Sequence, residues 1–183
     1  MAAAQDSPAQ QGLRIVFVCS GNLCRSPMAE ALSRRIAVSK NLTIGWIESA
    51  GTLGIEGETV PELVEQVLAP LGLSLAHHRS RALSVRHLDE ADFIVVMAPQ
   101  HAREVRMRRP GAADRIVRLW KYTSKPGRLK EIADPIGGDL AVYRRCRDNL
   151  EECLTNWLAT LAKDDPSLRN QTRDGNSSVG TGT

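Results

Sequence analysis

The run RIVFVC at residues 14–19 passes directly into SGNLCR and then into Ser26-Pro27. Its β-branched and aromatic residues read as a buried strand. Serine is a favoured helix cap, and proline suits the first helical position because its φ is fixed and it has no N–H to satisfy. A strand, a short loop and a helix in succession start a βαβ unit, which commits the chain to a parallel sheet.

The alternation continues downstream. Residues 27–38 carry Met28, Leu32 and Ile36 at four-residue steps, one face of a helix. Further strands are expected at residues 43–48, 92–97 and 115–120, and further helices at 61–71, 100–108 and 140–163. The last of these places Val142, Cys146, Leu150, Cys153, Leu154, Trp157 and Leu161 along one stripe, which makes its two cysteines core packing. The expected fold is α/β: a single domain over residues 13–163, with a four-stranded parallel sheet covered by helices on both faces. Residues 1–12 and 164–183 are small and polar and are expected to be disordered extensions.

In such sheets ligands bind beyond the carboxyl ends of the strands, where Cys19 sits. In the loop that follows, Gly21 is expected to use backbone angles closed to other residues, and Asn22 to tolerate left-handed geometry. Such a turn aims backbone N–H groups at one point. With the positive end of the helix and the planar fork of Arg25, it forms a phosphate-binding loop between the first strand and the first helix. The same groups favour a thiolate at Cys19, giving an ionised nucleophile beneath a bound phosphorus atom.

Composition excludes other classes. Lysine and arginine total 24 against 21 aspartates and glutamates, interspersed, and aromatics are only 4% of the 183 residues, so no nucleic-acid surface is indicated. No stretch approaches the roughly 18 apolar residues of a membrane span, and the N-terminus lacks the basic and apolar regions of an export signal. Four cysteines in two distant pairs read as reduced thiols and point to the cytoplasm. No His, Cys or carboxylate spacing suggests a metal, and neither a metal nor a cofactor is expected. His87 and His101 read as surface residues.

The segment CSGNLCRSPMAEA resembles the signature of the low-molecular-weight protein-tyrosine-phosphatase family, in its bacterial form. The likeness extends through most of residues 13–162: ESAGT at 48–52, HHRSR at 77–81, ADFIVVM at 91–97 and Asp134-Pro135 before the last helix fall in the family's order. The resemblance implies that Cys19 is the nucleophile, Arg25 the phosphate clamp and Asp134 the general acid and base. Ser20, Gly21, Asn22, Leu23, Cys24 and Ser26 would line the phosphate site, with the Ser26 hydroxyl stabilising the thiolate. Ser49 and His78 would hold Asn22 and keep the loop in shape. One carboxylate suffices for both chemical steps, since it gives a proton to the leaving group and later takes one from water. Cys24 would capture an oxidised Cys19 as a disulfide. The implied partner is a phosphorylated protein, with the enzyme a monomer or weak homo-oligomer.

Substrate preference divides. Leu23 offers an apolar wall suited to a phosphotyrosine ring, where arginine phosphatases that resemble this family carry threonine. Ile136-Gly137-Gly138, without aromatics after Asp134-Pro135, and MAPQHAREV at 97–105 resemble the arginine-phosphatase branch. Leu23 lies nearer the phosphate and is given more weight, with Trp46 or Leu53 as further walls. A thiol arsenate reductase is disfavoured because residues 25–145 contain no cysteine to resolve the intermediate, and a silent phosphate-binding or redox-sensing module because Asp134 is present.

Overall fold

The computed structural model describes residues 12–164; the expectations for the two tails lie outside the described residues, except that Gly12 is packed against Gly45 and Asp164 closes the last helix. Strands β1 (Leu13–Cys19), β2 (Ile44–Gly51), β3 (Phe93–Val96) and β4 (Ile116–Arg118) form one parallel sheet in the order β2-β1-β3-β4. Helices α1 (Arg25–Ser39), α2 (Glu62–Leu68), α3 (Val85–Glu90), α4 (Pro99–Arg108) and α5 (Leu140–Asp164) cover its faces.

The apolar run of β1 is uninterrupted because the strand is central and covered on both sides. Ile15, Val16, Phe17 and Val18 are fully buried. Trp157 of α5 stands edge-on to both Phe17 and Phe93, at centroid distances of 6.3 and 5.6 Å, and so joins the long helix to two strands. On α5 the buried stripe begins at Tyr143 rather than Val142 and runs through Cys146, Leu150, Cys153 and Leu154. Both cysteines are packing residues.

The chain leaves β1 to reach β2 on one side and later enters β3 on the other. The carboxyl end of β1 is therefore a switch point in the sheet, where a crevice opens for a ligand. Cys19 lies there, in register with Gly51 of β2, and Val18 lies beside Val96 of β3.

Four local expectations need correction. The fourth strand is only Ile116–Arg118, and Leu119–Tyr122 turns as a 3₁₀ helix instead of continuing it. The second strand runs on to Gly51, because Ser49, Ala50 and Gly51 are buried against the loop after β1. Helix α1 starts at Arg25 with Cys24 at its cap position and no side-chain cap; Ser26 lies inside the first turn, where its hydroxyl is engaged with Cys19. Helix α3 was not expected. It is secured by a capping box in which His87 replaces the usual Glu: Ser84 Oγ accepts from His87 N, and His87 Nδ1 accepts from Ser84 N. With Nδ1 accepting, Nε2 carries the ring proton and donates to Glu48 at 2.9 Å. His87 is thus buried, not a surface residue.

Candidate active site

The loop from Ser20 to Cys24 wraps around the sulfur of Cys19, which is only 2% exposed. Asn22 N donates to Sγ at 3.3 Å, and Ser26 Oγ lies 3.0 Å from it. Ser26 Oγ also accepts from Asn22 Nδ2 (3.0 Å), and its single proton faces both the sulfur and the Ala50 carbonyl, 3.5 Å away. The Asn22 N–H and the Ser26 hydroxyl thus converge on one thiol beside the first turn of α1.

Asn22 sets the shape of the loop. It has a left-handed φ of 57° and a fully buried side chain. Its Nδ2 also donates to Ser49 Oγ at 2.9 Å, its Oδ1 accepts from Arg81 N at 2.9 Å, and its carbonyl accepts from His78 Nε2 at 2.9 Å. Of the adjacent histidines, His78 is buried and His77 exposed. Burial outweighs the bond to Asn22 and lowers the His78 pKa, so the imidazole is neutral and holds the loop as a plain hydrogen-bond donor.

Gly21, by contrast, does not adopt a left-handed φ. A Cβ there would meet only Ile55 and Leu23 side chains at an ordinary 3.5 Å. The glycine demanded by close approach is Gly51, where a Cβ would stand 2.7 Å from Ser20 O and 3.0 Å from Asn22 N. The chain beyond β2 is sewn to the loop by Thr52 N to Cys19 O and Leu53 N to Ser20 O, both 3.0 Å.

The Arg25 guanidinium is buried and held from several directions. Nη1 donates to Ile132 O at 3.3 Å; Nη2 donates to Ser20 Oγ at 3.3 Å and is ion-paired with Asp134 Oδ2. Its Nε is buried with no hydrogen-bond partner among the described residues, a donor suited to an incoming oxygen. Asp134 stands at the mouth, in a tight turn closed by Gly138 N to Pro135 O (2.9 Å), with Gly137 at a φ of 77°.

Cys19, Ser20, Gly21, Leu23, Cys24, Arg25 and Asp134 line a cleft of about 170 Å³, whose outer wall is Leu53, Ile55 and Ile136. That volume is below the roughly 300–1,000 Å³ of pockets for drug-sized ligands, and fits the head of one side chain. Trp46 is not a wall: it lies near the opposite end of β2, paired with Arg14, under the guanidinium of Arg86. Ile55 was not anticipated, because nothing in the irregular stretch after β2 signals that it folds back over the loop.

Cys24 is buried, its sulfur 3.8 Å from the Tyr143 hydroxyl, and burial pushes its thiol up to about 12 despite that contact. Another residue belongs to this neighbourhood without having been expected there. His101, read from sequence as exposed, is 1% exposed, and its Nε2 lies 3.0 Å from Ser20 Oγ. The first turn of α4 faces the loop, which a motif confined to residues 19–27 does not reveal.

Residues 14–167 match the family model described as low molecular weight phosphotyrosine protein phosphatase. The chain is 40% identical over 148 residues to a protein-arginine-phosphatase of Geobacillus stearothermophilus, covering 81% of this chain and 95% of that protein. It is 37% identical over 156 residues to a low molecular weight protein-tyrosine-phosphatase of Streptomyces coelicolor, covering 81% and 93%. The crystal structure of the low molecular weight protein tyrosine phosphatase from T. tengcongensis superposes with a TM-score of 0.72 at 29% identity, covering 81% of this chain and 99% of that one. The chain belongs to the low molecular weight phosphotyrosine protein phosphatase family, hydrolases of phosphomonoesters that act on phosphorylated proteins.

Proposed function

We propose that the protein hydrolyses phosphotyrosine in proteins through a phosphocysteine intermediate, with Cys19 as nucleophile, Arg25 as phosphate clamp and Asp134 as general acid and base. The observation that carries this is the convergence of Asn22 N and Ser26 Oγ on the Cys19 sulfur, at the floor of a cleft whose rim holds Arg25 and Asp134. In the first step sulfur attacks phosphorus, the S–P bond forms and the P–O bond to the ring breaks, and Asp134 gives its proton to the leaving oxygen. In the second, water attacks phosphorus as the S–P bond breaks, and its proton goes to Asp134. An arriving phosphate takes over the Arg25 Nη2 donor now turned to the Asp134 carboxylate, and so frees that group for its work.

Tyrosine is favoured by the lining: Leu23 beside the sulfur, with Leu53, Ile55 and Ile136 above it, gives an aliphatic slot for a flat ring. Arginine is the second reading, supported by the likeness to the Geobacillus protein-arginine-phosphatase. Comparing kcat/KM on phosphotyrosine and phosphoarginine peptides decides between them. The tyrosine reading predicts at least tenfold preference for phosphotyrosine, narrowed by Leu23→Thr; preference for phosphoarginine in the wild type would overturn it. Cys19→Ser should abolish turnover of p-nitrophenyl phosphate, and retained turnover would remove the whole mechanism. For Cys24 the proposed role is capture of oxidised Cys19; peroxide-treated enzyme showing no Cys19–Cys24 link by mass spectrometry would end it.

A further inference from the structure

His101 lies outside the loop motif, yet it reaches the loop through one hydrogen bond whose direction can be worked out. A guanidinium only donates, so Ser20 Oγ must accept from Arg25 Nη2. That leaves the hydroxyl one lone pair and one proton, and His101 Nε2, 3.0 Å away, meets one of them. The imidazole is neutral, because burial and the nearby Arg25 push its pKa down to about 4. Its other nitrogen, Nδ1, is buried with no hydrogen-bond partner among the described residues.

If Nε2 accepted the serine proton, the ring's own proton would sit on Nδ1, a buried N–H with nothing to bond. Orphaned buried N–H groups are rare, whereas acceptors are more often left short of a partner. We infer that His101 is a positioning residue that donates from Nε2 to Ser20 Oγ, so that the serine, filled by two incoming bonds, has its own proton to give to a phosphate oxygen. Ser20 lines the cleft beside Cys19 and Arg25, where that proton reaches the phosphate site. His101 thereby turns a flexible hydroxyl into a fixed donor, and secures one Nη2 hydrogen of Arg25 while Nε stays available for phosphate. This role presupposes the phosphocysteine mechanism proposed above.

The test combines a tautomer measurement with phosphate affinity. Long-range ¹⁵N–¹H NMR on the folded wild-type protein at pH 7 should show His101 protonated at Nε2. His101→Phe and Ser20→Ala should each raise the inhibition constant of inorganic phosphate, and the KM for p-nitrophenyl phosphate, by about tenfold, as expected for one hydrogen bond to a charged group. kcat should fall less than KM rises. The double variant should be no worse than either single one, and His101→Gln, whose amide can donate from a similar place, should stay within about threefold of wild type. An Nδ1–H tautomer, a phosphate constant for His101→Phe within twofold of wild type, or multiplying effects in the double variant would overturn the inference. Should His101→Phe fail to fold, the wild-type tautomer and Ser20→Ala still decide. A wild type that neither turns over p-nitrophenyl phosphate nor binds phosphate strikes the phosphatase mechanism, whereas an active wild type with an unaffected His101→Phe strikes only this role.

Discussion

Adding one methyl group at Gly51 tests whether the end of β2 sets the shape of the phosphate loop. A Cβ there would stand 2.7 Å from Ser20 O, 3.0 Å from Asn22 N and 3.0 Å from Gly21 C, all backbone atoms that cannot swing aside. Ordinary contact starts near 3.4 Å, so the loop must retreat by roughly 0.7 Å at its worst point. Gly51 cannot move instead, since its N donates to Arg81 O and its O accepts from Leu83 N, both at 2.8 Å. Overpacking of this kind costs about 1–3 kcal/mol of stability. The greater effect falls on chemistry, because a misplacement near 1 Å costs on the order of 100-fold in rate. Gly51→Ala should therefore lower kcat/KM on p-nitrophenyl phosphate by about 30–100-fold while leaving a cooperative urea transition. Gly45→Ala is the control: its Cβ would crowd Gly12 O (3.0 Å) and Arg14 Cγ (3.3 Å) at the other end of the same strand. It should change stability by no more than about 1 kcal/mol and leave kcat/KM within twofold. A Gly51→Ala enzyme within threefold of wild type, or a Gly45→Ala enzyme equally impaired, would refute the argument.

Asp134→Asn should slow turnover by about 100- to 1,000-fold on phenyl phosphate and markedly less on p-nitrophenyl phosphate, whose leaving group needs little protonation; equal slowing of both would remove the acid role. Burial pushes Cys24, Cys146 and Cys153 each up to about 12. Iodoacetate at pH 7 should therefore modify Cys19 well before the other three, as read by peptide mass spectrometry; early modification of Cys146 would contradict this. His78 and His101 both have folded pKa values depressed by burial, so each binds its proton more readily when unfolded. Their contribution to stability is complete above about pH 6.5 and is lost as pH falls through the folded values, about 4 for His101. The urea midpoint should drop between pH 6.5 and 4 with a shallower slope in His101→Gln, and identical slopes would refute the assignment.

The sheet was legible because its two central strands, β1 and β3, are apolar runs and its strands are separated by helical periodicities. The geometry of the loop was legible because Cys19 through Pro27 is contiguous, so the motif and the floor of the candidate site share the same residues. Legibility stopped where the site is assembled from distant backbone. Arg81 N, which completes Asn22, bonds through its main chain and leaves no mark on residue identity. Gly51 looks like any strand-end glycine until the loop closes over it. The left-handed residue was correctly sought within the loop, but Gly21 was given a share of a task that Asn22 performs with side-chain support. Ser26 resembled a cap because a serine before a proline usually is one; here Cys19 captures its hydroxyl instead. His87 and His101 carry no local sign of burial, since each meets its partner far along the chain, Glu48 in one case and Ser20 in the other.

Ile132 divides the molecule's freedom to diversify. Fully buried, it donates its N–H to Met97 O at 2.8 Å and offers its carbonyl to Arg25, two positions before Asp134. The Arg25 side chain is therefore pinned on the near side of a fixed point, and the turn from Asp134 to Gly138 hangs from the far side. Descendants of such a chain can rewrite the residues after Asp134-Pro135, and with them the outer wall of the cleft at Ile136, without disturbing the hold on Arg25. Under the proposed mechanism, insertions or aromatic replacements at Ile136 are thus a route by which the mouth changes its clients while the floor of the cleft stays as it is.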